Sequence, residues 1–408
     1  MKPINVKSEI APLKKVLLHR PGKELLNLIP SRLPELLFDD IPFLDEAIKE
    51  HDAFVKILQK EGVEIVYLED LMSEVFEERP DLVKPFLYQW LLEGDIATKK
   101  WQDFLYSYLI ENYSGKDLVL KTMEGITLRE MPSEVRGYSL QDMIAPNDDL
   151  IVDPMPNLYF TRDPFASVIN GAIISKMRYK IRRRETIYAD YIFEYHPFFK
   201  GKVNRYYDRK NHASIEGGDV LVLNENTLAI GISERTTPDA IEKVVHNIFL
   251  DEESSIHTVL AFMIPATRAF MHLDTVFTQV DYDKYTVHPA ILDGLTIFEL
   301  QLDEKEEVSI KRVDGKLEDI LEKYTGIKNI QLIQCGGDDL IASAREQWND
   351  GSNTLCISPG KIIVYSRNVI TNELLRKSGL EVLEMPSAEL SRGRGGPRCM
   401  SMPLVRED

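Results

Sequence analysis

Lys15-Val-Leu-Leu-His19-Arg20, followed by Ile48, His51, Val55 and Leu58 at helical spacing and then by Gln59-Lys60-Glu61-Gly62-Val63-Glu64-Ile65-Val66-Tyr67, decides the fold. A short buried strand, an amphipathic helix, a glycine stop and an alternating strand make one strand-helix-strand unit. The far end of the chain repeats it: Ile362-Ile-Val-Tyr-Ser-Arg367 is the strand, Glu373-Leu-Leu-Arg-Lys377 lies on the helix, and Ser378-Gly379-Leu-Glu-Val-Leu383 supplies the stop and second strand. Both units close on Lys-x-Gly-apolar-Glu-apolar. A third, partial copy runs from Leu228 to Arg235 and on into Pro238-Asp-Ala-Ile-Glu-Lys-Val-Val245. Three copies imply a pseudo-symmetric α/β ring, in which repeated units cover each other's edges and the two chain ends are expected to meet.

Between Met72 and Asn147 the strand signal disappears. Val83, Phe86, Leu87, Trp90 and Leu91 follow helical spacing, and a second apolar helix runs through Trp101, Phe104, Leu105 and Leu109. The stretch 72–147 reads as an all-helical insertion into a domain made of 1–71 and 148–408, its aromatic residues serving as core.

The 408 residues correspond, at roughly 150 per domain, to two or three units, and 44% hydrophobic with 28% charged residues indicates a folded globular protein. A net charge of −17 opposes binding to nucleic acid or anionic membranes. The basic cluster Lys180, Arg182, Arg183 and Arg184 reads as a solvated helix start or as an anion contact for a small substrate. Cys335, Cys356 and Cys399 form no CxxC and no even-numbered framework, so disulfides and a zinc ribbon are not expected. With no signal-peptide core and no membrane-length apolar run, the expected compartment is the cytoplasm.

Four segments carry chemistry. In Asn157-Leu-Tyr-Phe160-Thr-Arg-Asp163-Pro164-Phe165, Pro164 places Asp163 at a strand end. In Ile215-Glu216-Gly-Gly-Asp219-Val220, two glycines allow a tight bend that brings two carboxylates together before the strand 220–223. In Phe270-Met-His272-Leu-Asp274-Thr275, strand alternation would put His272 and Asp274 on one face as an acid-base or metal-ligating pair. In Ser391-Arg-Gly-Arg394-Gly-Gly-Pro-Arg398-Cys399-Met400, a glycine-rich loop delivers one thiol beside three arginines, the surroundings of a nucleophile. Cys356 reads instead as core and Cys335 as a strand-end thiol. Carboxylates gathered around a thiol oppose thiolate formation, which makes sense chiefly for a cationic substrate, and a guanidinium fork matches two carboxylates.

With those residues in hand the chain resembles the bacterial arginine deiminase family of the guanidino-group-modifying superfamily. The resemblance rests on Leu37-Phe-Asp-Asp40, Asp153-Pro-Met-Pro-Asn157-Leu-Tyr-Phe160-Thr-Arg-Asp163-Pro-Phe165, Ile215-Glu-Gly-Gly-Asp219, Met271-His-Leu-Asp-Thr275 and Gly396-Pro-Arg-Cys399-Met-Ser-Met-Pro403, in order along the whole chain. It implies a five-bladed α/β propeller around a central site and hydrolysis of L-arginine to L-citrulline and ammonia, with no metal and no organic cofactor. It implies that Cys399 attacks the guanidinium carbon and that His272 protonates the leaving ammonia and then activates water. Asp163 and Asp274 would hold the guanidinium, Glu216 would orient His272, and Asp219 would support the substrate site. Arg182 and Arg235 would bind the substrate carboxylate with help from Asn157, Phe160 would pack on the aliphatic chain, and Arg394 would sit on a gating loop. Some relatives carry His before the nucleophile where this chain has Arg398, which bears on any contact from that position to the substrate amino group.

Two other readings stand beside this one. Amidino transfer, or deimination of agmatine or a methylated arginine, uses the same thiol chemistry. A divalent metal held by His272, Asp274 and Glu216 would leave Cys399 without a role. A homo-oligomer is left open by the sequence.

Overall fold

Hairpins of Val, Ile and Leu, buried on both faces, make the framework: Phe165–Val168, Gly171–Ile174 and most of Val220–Asn224 are inaccessible to solvent. The computed structural model describes residues 2–132, 150–292, 294–305 and 307–407. Of six sheets among the described residues, five share one plan. A middle strand pairs antiparallel with one neighbour and parallel with another that follows a helical crossover.

The middle strands are Leu13–Leu18, Gly171–Ile174, Thr227–Ile232, Lys284–Val287 and Lys361–Tyr365. Their parallel partners are Glu64–Tyr67, Asn204–Tyr207, Thr258–Met263, Gln331–Gln334 and Glu381–Met385. Helices Leu44–Lys60, Ile187–Tyr195, Pro238–Phe249, Leu317–Thr325 and Val369–Lys377 lie in the crossovers. The third sheet gains the hairpin Thr296–Leu302 and Val308–Val313 on its edge.

The antiparallel partner of the first middle strand comes from the other end of the chain: Met402–Arg406 pairs with Leu13–Leu18, with Leu13 opposite Arg406 and Leu17 opposite Met402. The chain ends therefore meet, as the repeats require. The echoes read in the sequence fall on the first, third and fifth of these units.

Helices Leu68–Glu78, Val83–Glu93, Lys99–Asn112 and Gly115–Glu124 fill the strand-poor stretch. Phe86, Trp90, Leu105 and Leu109 are fully buried, each worth about 2 kcal/mol of transfer free energy. Their core continues into the strand-bearing part, where Phe86 meets Tyr188 at 5.9 Å between ring centroids. One expectation needs correcting: Ile126–Thr127 is a short strand, paired with Leu150–Val152, inside the stretch read as free of strands. The end of the insertion at 147 lies outside the described residues. No helix among the described residues is long and apolar enough to cross a membrane.

Candidate active site

The segment entering the first strand of each unit leads to one cavity or its floor. Asp163 precedes Phe165–Val168, Glu216 to Asp219 precede Val220–Asn224, His272 to Thr275 precede Phe277–Gln279, Asp350 to Asn353 precede Leu355–Ser358, and Cys399 precedes Met402–Arg406. This corrects the placement of Asp163, which stands before a strand and not at the end of one: Pro164, which has no N–H for a ladder, sits at the entry of Phe165–Val168.

The cavity has a volume of about 360 Å³. Asn157, Phe160, Asp163, Arg182, Arg235, His272, Arg394 and Cys399 line it. Tyr179 and Glu234 complete its rim, joined by a hydrogen bond from the phenol to the carboxylate.

His272 and Asp274 do not lie on a strand. Arg268–Phe270 and Leu273–Thr275 are two short 3-10 turns with His272 between them, the second held because Asp219 Oδ1 takes the Leu273 N–H at 2.8 Å and Thr275 Oγ1 donates to the His272 carbonyl at 2.7 Å. The two side chains reach the site from opposite sides. His272 Nε2 is 2.8 Å from Glu216 Oε2 and its Nδ1 is 3.7 Å from Asp163 Oδ1. Asp274 Oδ2 is 3.6 Å from Cys399 Sγ. Gly218 makes this geometry possible, since a Cβ there would lie 2.6 Å from His272 Nδ1.

Asp219 does not line the cavity. Its carboxylate is consumed by Leu273 N and by the Ser233 and Thr236 hydroxyls at 2.7 and 2.6 Å, which corrects the expectation that it meets the substrate. Burial pushes its pKa up to about 6.

The charges sort into pairs. Arg182 donates to Asp163 Oδ2 at 2.7 Å and to Glu185. Arg235 donates to Glu216 Oε2 at 3.2 Å and lies over the Tyr179 ring. The cluster 180–184 is a 3-10 helix, Lys180–Thr186, in which Arg182 and Arg184 are each 3% exposed, so the solvated reading fails for these two. Arg394 stacks on Trp348, its guanidinium 3.5 Å from the ring centre, and faces Asp39 at 3.4 Å. Arg392 pairs with Asp40, and Asn157 Nδ2 donates to the Leu36 carbonyl.

Among the described residues, Oδ1 of Asp163 and Oδ1 of Asp274 accept no hydrogen bond although both are buried. Two unused carboxylate oxygens beside a thiol are acceptors set for a planar donor.

Burial pulls His272 toward neutrality, but Asp163, Glu216 and Asp219 outweigh it and hold the imidazolium to about 9. Burial would raise Glu216, yet Arg235, His272 and Arg182 keep it ionised well below the usual carboxylate range. Cys399 goes the other way. Burial first, then Asp274, Asp163 and Asp350, push its thiol well above the usual range, and Arg398 offsets only part. The reading of a thiolate favoured by flanking arginines is thus corrected: Arg392, Arg394 and Arg398 all pair with carboxylates.

Asp163, Glu216 and His272 have ligand atoms within 4.8 Å of one another, the one such grouping among the described residues. It differs from the trio His272, Asp274 and Glu216 weighed from sequence, and a divalent cation there would face Arg182 and Arg235 at the same carboxylates.

Several participants escaped the sequence reading. Glu185 braces Arg182, and burial, only partly countered by Arg182, raises its pKa to about 7. Asn353 accepts the Cys399 N–H at 3.0 Å and donates to the Asp274 carbonyl. The faint signal for Asn353 is its place just before an apolar strand, where every other unit carries a site residue.

The arginine deiminase family model matches residues 34–406. An arginine deiminase of Treponema denticola is 58% identical over 406 residues, 99% of each chain. One of Borrelia duttonii is 51% identical over 409 aligned positions, covering 100% of this chain and 99% of its own. Among solved structures, an amidinotransferase of Microseira wollei aligns with a TM-score of 0.56 at 16% identity, over 100% of this chain and 98% of its own, a likeness of α/β fold alone.

Proposed function

The chain belongs to the arginine deiminase family, and from that premise we propose how its cavity converts L-arginine and water into L-citrulline and ammonia. The carrying observation is a cavity lined by Cys399, Asp163, His272, Arg182 and Arg235, with Asp274 Oδ2 behind its wall 3.6 Å from Sγ and an unused oxygen on each of Asp163 and Asp274. A guanidinium donates to those oxygens and presents its carbon to Sγ, while the substrate carboxylate meets the two arginines.

The thiol yields its proton to solvent, and the Sγ thiolate bonds to the guanidinium carbon. The tetrahedral adduct then breaks its bond to one terminal nitrogen, which leaves as ammonia with a proton from His272. An S-alkylthiouronium remains on Cys399. The now neutral His272 takes a proton from water, whose oxygen attacks the same carbon; collapse breaks the C–S bond, releases L-citrulline and passes the hydroxyl proton to the departing sulfur. Glu216 holds the imidazole ring throughout, Phe160 packs on the methylenes, Asn157 adds polar contacts, and Arg394 closes the mouth.

The same reading treats the five sheet units as blades around the cavity, with 72–147 inserted between 1–71 and 148–408. It is supported by the five strand-entry segments that converge there. Three free cysteines suit a reducing cytoplasm.

Metal-stripped protein incubated with L-arginine alone tests the proposal. Equal citrulline and ammonia, both absent in Cys399→Ser while arginine still binds, is the expected result. Turnover by that variant, or ammonia only when an amine acceptor is added, would overturn it.

A further inference from the structure

Arg398, the departure from relatives that carry His before the nucleophile, does not line the cavity. Its guanidinium, 1% exposed, points beneath it. Nε donates to Glu9 Oε2 at 3.0 Å, Nη1 to Asp274 Oδ2 at 2.7 Å and Nη2 to the Val220 carbonyl at 2.9 Å. Glu9 is itself pinned, its N–H on the Val222 carbonyl at 2.8 Å and its Oε1 under the Val222 N–H at 3.2 Å. The N-terminal segment therefore passes under the site and holds one end of a buried chain of contacts that ends at Cys399.

We propose that Glu9 is a positioning residue for the reaction at Cys399, acting through Arg398 and Asp274. The planar fork of Arg398 fixes the Asp274 carboxylate by its Oδ2, which leaves Oδ1 turned to the substrate; Glu9 fixes the fork. Glu9 lies outside the span matched by the family model, which begins at residue 34.

The charge logic gives the chain a sign. Glu9 balances Arg398, so without it the Arg398 charge acts more fully on Asp274 and on the thiol; without Arg398, Asp274 acts on the thiol uncompensated. The other groups facing this cluster are Asp163, Asp350 and Tyr365 toward Cys399, and Arg162 and Arg406 toward Glu9. They are the same in every variant compared.

The proposal rests on the deiminase reading, and its test separates the two. Full-length protein is treated with iodoacetamide across pH 7 to about 10, with alkylation of Cys399 followed by peptide mass spectrometry, so no turnover is needed. At a fixed pH below the midpoint, Glu9→Gln is expected to react about tenfold faster than the parent and Arg398→Gln about tenfold slower, each a displacement of about one pH unit. Glu9→Asp, which keeps the charge, is expected to return the profile to that of the parent, and if Glu9→Gln fails to fold the slower reaction of Arg398→Gln carries the test. On L-arginine, Glu9→Gln should lower kcat more than it raises KM.

Both neutral variants reacting faster would mean a loosened site and overturn the proposal. So would an unmoved profile, or a Glu9→Asp profile displaced from the parent's. Failure of the parent to turn over L-arginine would instead overturn the deiminase reading.

Discussion

Replacing Glu216 by Gln removes one charge and almost no volume. The Arg178 N–H keeps an acceptor, since the contact it makes at 2.9 Å is to Oε1, which Gln retains. What is lost is the ion pair at 2.8 Å that helps hold His272 to about 9. A carboxylate at that distance is worth about two pH units to an imidazolium, which brings the variant toward about 7. At pH 8 the protonated fraction of His272 then falls from about nine-tenths to about one-tenth, a tenfold loss of kcat/KM from protonation alone. The assay is citrulline formation at low substrate from pH 5.5 to about 9.5, with folding checked by circular dichroism. The alkaline limb should move acidward by about two pH units, beyond any uniform loss caused by leaving Arg235 without its carboxylate. A limb that stays in place while the whole profile sinks would refute the argument and leave Glu216 as scaffold.

Gly218→Ala forces a methyl to 2.6 Å from His272 Nδ1 and 3.1 Å from Asp163 Oδ1, and should cut kcat at least about a hundredfold with little change in Tm; near-normal turnover would refute the packing. Arg235→Gln removes a charged contact for the substrate carboxylate, about 2 kcal/mol or about 30-fold in kcat/KM for L-arginine, and should leave agmatine, which has no carboxylate, less affected, as parallel kinetics would show. His19 lies 2.9 Å from Glu69 and 3.3 Å from Glu24 in a fully buried pocket; burial lowers its pKa, but the two carboxylates win and raise it to about 10. Its folded value exceeds the unfolded one, so its stabilisation is complete below about pH 6.5 and is lost as pH rises through about 10. Urea midpoints should fall over that window, and His19→Gln should flatten the fall.

How much the sequence discloses depends on whether a residue's partner is near it in the chain. Leu13 to Leu18 and Ile362 to Tyr365 announce themselves because alternation and a glycine stop are local signals, and Glu216 and Asp219 stand out through the glycines between them. Period-two alternation puts His272 and Asp274 on a strand, whereas Asp219, 54 positions from Leu273, takes the Leu273 N–H and holds the backbone in a turn. The second Gly-Gly-Asp, Gly336 to Asp338, has both glycines in the left-handed region at the end of Gln331–Gln334, in a turn whose backbone bonds to Thr371 and not to the catalytic groups. Glu9 is one of 66 acidic residues, and its partner Arg398 lies 389 positions on, so no local pattern could single it out. Asp350 is hidden in the same way, its charged neighbours being Arg394 and Asp274, whereas Glu185 sits three residues from its partner Arg182, on the same 3-10 helix.

Each fixed cation around the cavity is already paired: Arg182 with Asp163 and Glu185, Arg235 with Glu216, Arg394 with Asp39 and Trp348, Arg398 with Glu9 and Asp274. The thiol is left facing Asp274, Asp163 and Asp350 with little positive charge to favour ionisation. A guanidinium entering between Asp163 and Asp274 brings a new unit charge to about 4 Å from Sγ. At the effective dielectric of a protein site that is worth about 4 kcal/mol, or about three pH units in the thiol's favour. In the proposed mechanism the charge that meets the two unused carboxylate oxygens is thus the charge that ionises Cys399, and a neutral urea such as the citrulline product carries none. Recognition and activation are one electrostatic event, which is why a thiol surrounded by carboxylates, inert by itself, is suited to a cationic substrate and to its discrimination from the uncharged product.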